Sequence, residues 1–498
     1  MNNRTFRVWK SVVLCGILFL LLEISQRVIH GSGVTYPSET GNNTSACSAV
    51  GTPSYCNEAF PGFSTKSTNT GAQTVVVDPP PKHVSNVSLH NWMYSGWTGK
   101  MICEYQPWFD NVSPFNGHVD VGYNENASAT VAGQDAAMIR AGCDINLIDW
   151  YGANESSQNF NLTTSNLIST DLNGRANFPL KFGVLEDGGS FKSICPTNGG
   201  GVDQTTCIEN ALIADMDYIE LHYAGTGAYW LDGGNPVVGF FISESGWTNP
   251  SPNWTTIWNN VKAHTNTYAK PFKFIFEFGS FSHPQSDGEY GWPQPPAWSS
   301  TQQFWWGANN SATPTYLQTL YDAGKANPTK LTVGVMYKGF DDNNASWGGN
   351  RVIAEQCGQV LSKTANEVTY NGDFGSSNQI PYMQVATWND YEEGTEVETG
   401  VDNCYTVSAS LSGNTLNWAL HASNSYAATS TIHGFTIYYE NPNDSTQTLN
   451  VAKSGISATA TSQDLSTIVP IGTWNIYLEM VGKPLIMNRM SGVVKYTH

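Results

Sequence analysis

Between residues 100 and 388 the chain repeats one pattern: a short, largely apolar run followed by a stretch of helical periodicity. The runs are Lys100–Tyr105, Asp144–Asp149, Pro179–Leu185, Pro236–Ser243, Phe272–Phe278, Leu331–Tyr337 and Tyr382–Trp388, with Gln303–Trp306 as a weaker sixth in chain order. Strands that are apolar on both faces belong to a parallel sheet covered on both sides, and the intervening helices are the crossovers such a sheet requires. Eight such units over roughly 300 residues fit a (β/α)8 TIM barrel of the α/β class. A doubly wound open sheet competes, but no glycine-rich nucleotide loop follows the first strand.

The pattern stops near residue 400. Short alternating strands follow at Tyr405–Leu411, Thr415–Leu420, Gly434–Tyr439, Gln447–Val451, Thr473–Glu479 and Gly492–Tyr496, separated by Gly, Asn and Ser. They predict a C-terminal all-β sandwich of the immunoglobulin or fibronectin type over 401–498, which packs on the barrel or binds polymer. The barrel is assigned to 86–400, and the Ser-, Thr- and Pro-rich stretch 32–85 reads as a polar leader or linker with a small disulfide loop.

Residues 1–31 read as an export signal. Arg4, Arg7 and Lys10 precede the apolar run Val12–Leu22, which is short for a membrane span of roughly 20 residues. An uncleaved anchor is the alternative, because no clean small-x-small cleavage site follows; after cleavage no stable membrane insertion is expected. The other eight cysteines then lie in an oxidising compartment, with Cys47–Cys56 and Cys195–Cys207 closing short loops and Cys357–Cys404 able to tie one domain to the next. Cys103 and Cys143 either pair with each other or stay free and buried. The expected location is secreted, periplasmic or on the cell surface.

Composition narrows the chemistry. Only 13% of residues are charged, where about a quarter is usual, and the formal net charge is −18. An acidic chain does not suit nucleic acid, whose phosphates call for clustered Lys and Arg. An aromatic content of 12%, with 17 Trp, excludes wholesale disorder. The sequence contains no GxSxG, HExxH, GxxxxGK[ST] or CxxC motif, and neither a metal nor a cofactor is expected.

Function in a TIM barrel sits at the C-terminal ends of the strands, so the residues following each run are the candidates. They include Tyr105, Gln106, Trp108 and His118 after the first, Asp149, Trp150 and Tyr151 after the second, and Glu186 after the third. Glu244 follows the fourth, Glu277 lies in the fifth and Tyr337 ends the seventh; Trp388 ends the eighth, and Asn389, Asp390 and Glu393 follow it. Paired carboxylates are what glycoside hydrolysis requires, one as proton donor and one as base or nucleophile. Aromatic rings stack on sugar faces, and Gln, Asn, His and Tyr bind hydroxyls without adding charge. Asp341, Asp342 and Glu392, taken singly, read better as caps or loop ion pairs. Glu104, inside an apolar strand, is either paired near the barrel floor or reaches the site.

These residues resemble glycoside hydrolase family 99 and its relatives over about residues 90–400, and family 71 more distantly. Tyr105-Gln106-Pro107-Trp108-Phe109 with downstream His118, and Asp149-Trp150-Tyr151-Gly152, are similar to that group's first two strand ends. The most specific segment runs from Trp388 to Glu398 and resembles the family 99 pattern Asn-Glu-Trp-x-Glu-Gly-Thr-x-Ile-Glu. The resemblance implies an endo-acting enzyme on an α-linked polysaccharide or glycan, with Asp390 and Glu393 as the catalytic pair and Glu393 as the general acid. Family 99 has Glu where this chain has Asp390. The form Trp-Asn-Asp-Tyr-x-Glu is that of family 71, whose members cleave α-1,3-glucan with inversion. Both α-mannan and α-glucan, and both stereochemical outcomes, therefore stay open. The alternative is a non-catalytic carbohydrate-binding or cell-surface protein on a hydrolase-derived barrel.

Overall fold

Seven of the apolar runs form strands, and an eighth element closes the ring. The computed structural model describes residues 35–36, 75–76, 84–109, 128–153, 179–192, 194–195, 203–247, 251–294, 315–342, 345, 351–443 and 449–498. Its barrel strands are β1 (Lys100–Tyr105), β2 (Ile145–Trp150), β3 (Lys181–Asp187), β4 (Asn235–Phe241), β5 (Lys273–Glu277), β6 (Gly288–Tyr290), β7 (Leu331–Met336) and β8 (Tyr382–Val385). They pair in parallel in the order β3-β2-β1-β8-β7-β6-β5-β4, and β3 also pairs with β4, so the barrel closes; the two-residue strand Leu231–Asp232 adds antiparallel to β4.

The sixth strand corrects the sequence reading. Gln303–Trp306 lies outside the described residues, and Gly288–Tyr290 fills the sixth position. No helix separates β5 from β6. A Cβ on Gly288 would stand 2.4 Å from the Leu331 carbonyl oxygen, so the tight β6–β7 approach needs glycine.

The longer helices among the described residues are α1 (Ser128–Ala141), α2 (Gln204–Ile219), α3 (Trp254–Thr265), α4 (Thr315–Ala326) and α5 (Gln359–Glu367). Asp203 caps α2 by accepting the N–H groups of Thr205 and Thr206, and Asn253 caps α3 through Thr256 N–H. Along α2 the buried residues Ile208, Leu212, Met216 and Ile219 recur at helical spacing. They join the cluster between sheet and helices, and burying each such side chain is worth about 1.5–3 kcal/mol. A second cluster fills the barrel interior with Ile102, Ile145, Leu147, Leu185, Ile275 and Val333 among its members.

The C-terminal strands are β9 (Tyr405–Ser412), β10 (Thr415–Ala422), β11 (Ile432–Glu440), β12 (Asn450–Ser457), β13 (Ser462–Asp464), β14 (Thr473–Gly482), β15 (Arg489–Met490) and β16 (Val494–Thr497). Two antiparallel sheets, β9-β10-β13 and β12-β11-β14-β15 with β16 also on β14, enclose Trp418, Phe435, Ile437 and Leu478. They dock on the barrel: Ser85 Oγ donates to Gly482 O at 2.6 Å, Trp92 Nε1 to Pro484 O at 3.1 Å, and Leu485 and Ile486 enter the sheet–helix core.

Among the described residues three disulfides are formed, Cys103–Cys143, Cys195–Cys207 and Cys357–Cys404, the last two as expected. The first resolves the alternative left by the sequence: Cys103 faces out from β1, and its Cα stands 5.9 Å from that of Cys143. The proposed signal and the Cys47–Cys56 loop lie outside the described residues. Among the described residues no helix is long and apolar enough to cross a membrane.

Candidate active site

Strand alternation sorts the candidates. Successive side chains on a strand face opposite sides, so alternate residues at a strand end enter the barrel mouth. On β1 this aims Glu104 and Gln106 inward. Tyr105 faces the helices, and its hydroxyl donates to Gln134 Oε1 of α1 at 2.5 Å. On β2 Asp149 faces in, while Trp150 packs outward on Tyr218 and Tyr223. On β3 Leu185 and Asp187 face in, and Glu186 lies behind the sheet, hydrogen-bonded to Asp215 of α2.

The loop after β8 is held from several sides. Asp390 N–H donates to Thr387 Oγ1 at 2.8 Å, and Asp390 Oδ1 accepts the N–H groups of Glu392 and Glu393 at 3.0 and 2.9 Å. Asp390 is thus the cap of the turn that carries Glu393. Gly394 has φ +61, and a Cβ there would sit 3.0 Å from the Asp341 nitrogen. That nitrogen donates to Glu393 O at 2.7 Å, so glycine lets the turn lie against its neighbour. Asn389 exchanges two bonds with the Gln106 backbone, at 2.8 and 3.0 Å, and ties the first loop to the eighth. Behind this loop buried Lys338 pairs with Glu396, and with Glu355 at 2.9 Å.

These elements surround a cavity of about 370 Å³ at the C-terminal mouth of the barrel. Among the described residues five carboxylates line it, Glu104, Asp149, Asp187, Asp390 and Glu393, and Trp108, Tyr151, Phe241 and Trp292 supply aromatic wall. Trp108 and Tyr151 meet edge to face at 6.5 Å. Glu104 is held by Gln384 Nε2 and, at 3.3 Å, by Gln106 Nε2. Glu277 accepts from Gln294 Nε2 at 2.8 Å.

Crowding of acids governs the electrostatics. Burial, and then the charges of Asp390, Glu393 and Glu277, push the Glu104 carboxyl well above its ordinary range. Burial and then Asp187 and Glu104 do the same to Asp149. Asp390 is raised by burial and Glu393, against the two N–H donors that favour its charge. Burial also raises Glu277. Such a group can hold a proton near neutrality and release it to a leaving oxygen, while a neighbouring carboxylate attacks or activates water.

Of the residues expected from sequence, the cavity brings together Gln106, Trp108, Asp149, Tyr151, Asp390 and Glu393. It does not include Tyr105, Trp150 or Glu186, which face outward. Nor does it include Tyr337, which is buried with its hydroxyl accepting from Tyr316 at 3.2 Å. Trp388 is packed in the core, with its backbone N–H on Glu104 O, and Asn389 holds two loops together. Glu244 sits on a short turn and accepts from Trp258 Nε1 at 2.6 Å. Glu277 borders the site without lining the cavity, although its charge reaches Glu104. His118 lies outside the described residues. Asp342 forms an ion pair with Arg351 at 2.7 Å, the role expected of it. Asp187, Phe241 and Trp292 line the cavity without having been singled out, and Glu104 reaches it. Counting in twos along β3 and β4 would have found Asp187 and Phe241. Among the described residues no group of three or more His, Cys, Asp or Glu is arranged to hold a metal ion.

No family model matches the sequence. No curated protein matches it either. Similar solved structures include a glycoside hydrolase family 99 endo-α-mannosidase from Bacteroides thetaiotaomicron, at 16% identity and TM-score 0.43, covering 61% of this chain and 87% of that one. A β-glucuronidase from Parabacteroides merdae aligns at 8% identity and TM-score 0.38 over 80% of this chain and 49% of its own. A family 5 endo-β-1,4-glucanase from Bacillus licheniformis aligns at 10% identity and TM-score 0.36, over 80% of this chain and 78% of that one. The family resembled by the Trp388–Glu398 segment is thus represented among the similar structures. The barrel assignment itself rests on the closed parallel strand order.

Proposed function

We propose that this chain is an exported glycoside hydrolase that cleaves internal bonds of an α-linked polysaccharide or glycan. The observation that carries the reading is the pair Asp390 and Glu393, on one capped turn, both lining an aromatic-walled cavity at the functional end of a TIM barrel. Glu393, partly buried, is the proton donor to the leaving oxygen. Asp390, buried and fixed by two backbone N–H groups, is the base or nucleophile. Trp108, Tyr151 and Trp292 offer faces for sugar rings, and Gln106 and Asp149 accept from hydroxyls. The α-linkage and the endo mode are supported by the resemblance of Trp388–Glu398 to the family 99 and 71 motifs. Export is supported by the basic and apolar start of the sequence and by the disulfides.

The test is release of reducing ends from α-mannans and α-glucans by the full chain, with Glu393→Gln alongside. Oligosaccharide products from the wild type, lost in the variant, are expected. Polysaccharide binding without any release would replace the hydrolase by the carbohydrate-binding alternative. The anomer first formed, read by proton NMR, distinguishes attack by Asp390 from attack by water.

A further inference from the structure

The wall of the cavity specifies its ligand more narrowly than its size does. Asp149 lines the cavity and is only 5% exposed, and its Oδ1 has no hydrogen-bond partner among the described residues. Gln106 is 3% exposed; its Nε2 is on Glu104, and its Oε1 is likewise unmet. Both atoms are acceptors. A buried acceptor without a donor is costly, so the space calls for a ligand that donates.

A sugar hydroxyl would donate, but it would leave the charge unanswered. Five carboxylates line the cavity, and no Lys or Arg does among the described residues. An ammonium group has three N–H donors, no acceptor and a positive charge. It satisfies both the unmet acceptors and the acid wall. An N-acetyl group would present a carbonyl oxygen to carboxylates, and a uronate would be repelled.

We propose that the cavity selects a sugar with a free, protonated amine, a hexosamine unit that is not acetylated, and that Asp149 receives its ammonium. The inference rests on the glycoside hydrolase reading for its context and names the substrate class of that same site. Mutual repulsion among Glu104, Asp149 and Asp390 is relieved when a cation enters.

Binding is measured first, by saturation-transfer NMR and calorimetry on the full chain at about pH 6, where a sugar amine is charged. Glucosamine, galactosamine and mannosamine are compared with their neutral and N-acetyl counterparts. At least one amine is expected to bind about tenfold more tightly than both counterparts, and Asp149→Asn, folded by circular dichroism, to shrink that preference to about twofold. Equal binding of neutral sugars, no amine binding at millimolar concentration, or a preference that survives Asp149→Asn overturns the proposal. Cleavage is measured second, on a partly deacetylated α-linked hexosamine polymer against α-mannan and α-glucan. Cleavage of neutral polymers without preference overturns this inference and leaves the hydrolase reading intact. Amine-selective binding with no cleavage of any polymer supports this inference and removes the hydrolase reading.

Discussion

Asp390 Oδ1 accepts the backbone N–H of Glu393 at 2.9 Å, so one member of the carboxylate pair caps the turn that presents the other. The Asp at this position, where family 99 has Glu, fits that role, because a short side chain reaches its own turn's N–H groups. Asp390→Asn keeps an oxygen for those donors and removes the charge. It should fold like the wild type and lose about a thousandfold in kcat, equivalent to about 4 kcal/mol of barrier. Glu393→Gln should lose a similar factor on unactivated substrates, and less when the leaving group is a nitrophenol that needs no proton. Wild-type turnover in either variant would remove the assignment.

Stability should fall as pH rises toward neutrality. Outside the crowded cavity, burial raises Glu277, brings Glu289 and Glu367 up to about 7, and brings Asp215 up to about 6. Each carboxyl keeps its proton in the folded state at a pH where the unfolded chain has released it. The folded state then binds more protons, and its advantage is lost between about pH 4 and the folded values. Asp144 runs the other way: burial would raise it, but bonds from His90, the Met101 N–H and Lys100 hold it low, so its contribution is lost in acid. Calorimetry should find a higher melting temperature at about pH 5 than at about pH 8. A flat or rising profile over that interval would contradict the burial of these acids.

Much of this architecture is legible in the sequence because barrel strands are apolar on both faces and stand out from their helices. β6 is not: it is three residues, Gly-Glu-Tyr, with no helix before it, and its burial comes from neighbours. The Asp390–Glu393 pair is legible through the resemblance of Trp388–Glu398 to the family 99 and 71 motifs, whereas the cap that Asp390 forms on the turn is a property of the structure. The inward or outward aim of strand-end residues depends on the register of each strand, which composition at the strand end does not carry. Glu186 and Asp187 are adjacent, and only the alternation tells which enters the cavity. Trp388 shows a different limit, since a ring beside the Asp390–Glu393 turn can equally well be core. The unmet Asp149 oxygen has no sequence signal, because it depends on which groups fail to reach it.

Buried Lys338 should be indispensable to the loop that carries Glu393. Its ammonium pairs with Glu396 of that loop and with Glu355 at 2.9 Å, and the two carboxylates hold its proton more firmly than usual despite burial. Lys338→Met leaves Glu396 buried without its cation, and about 3 kcal/mol of stability should go with it. Adding Glu396→Met removes the stranded charge and should restore at least half of the loss by urea denaturation. A double variant no better than the single one would show that the pair contributes by packing alone.

The Cys357–Cys404 disulfide joins the barrel to the first sandwich strand across a sequence separation of 47. A ring of that size restricts the unfolded chain by about 4 kcal/mol on the loop-entropy estimate. Both cysteines have left-handed backbone, φ 55 and 57, which L side chains rarely adopt, so some of that gain is offset in the folded state. The same junction is braced without covalent help, by Val401 N–H on Leu485 O at 2.8 Å and by Met487 N–H on Val401 O at 2.9 Å. Replacing both cysteines by Ala should therefore leave the fold intact and lower the unfolding free energy by about 2–4 kcal/mol. Calorimetry gives a second readout: the wild type should melt in one transition, and the variant should separate sandwich from barrel. An unchanged single transition at the wild-type temperature would show that the noncovalent contacts alone couple the two parts.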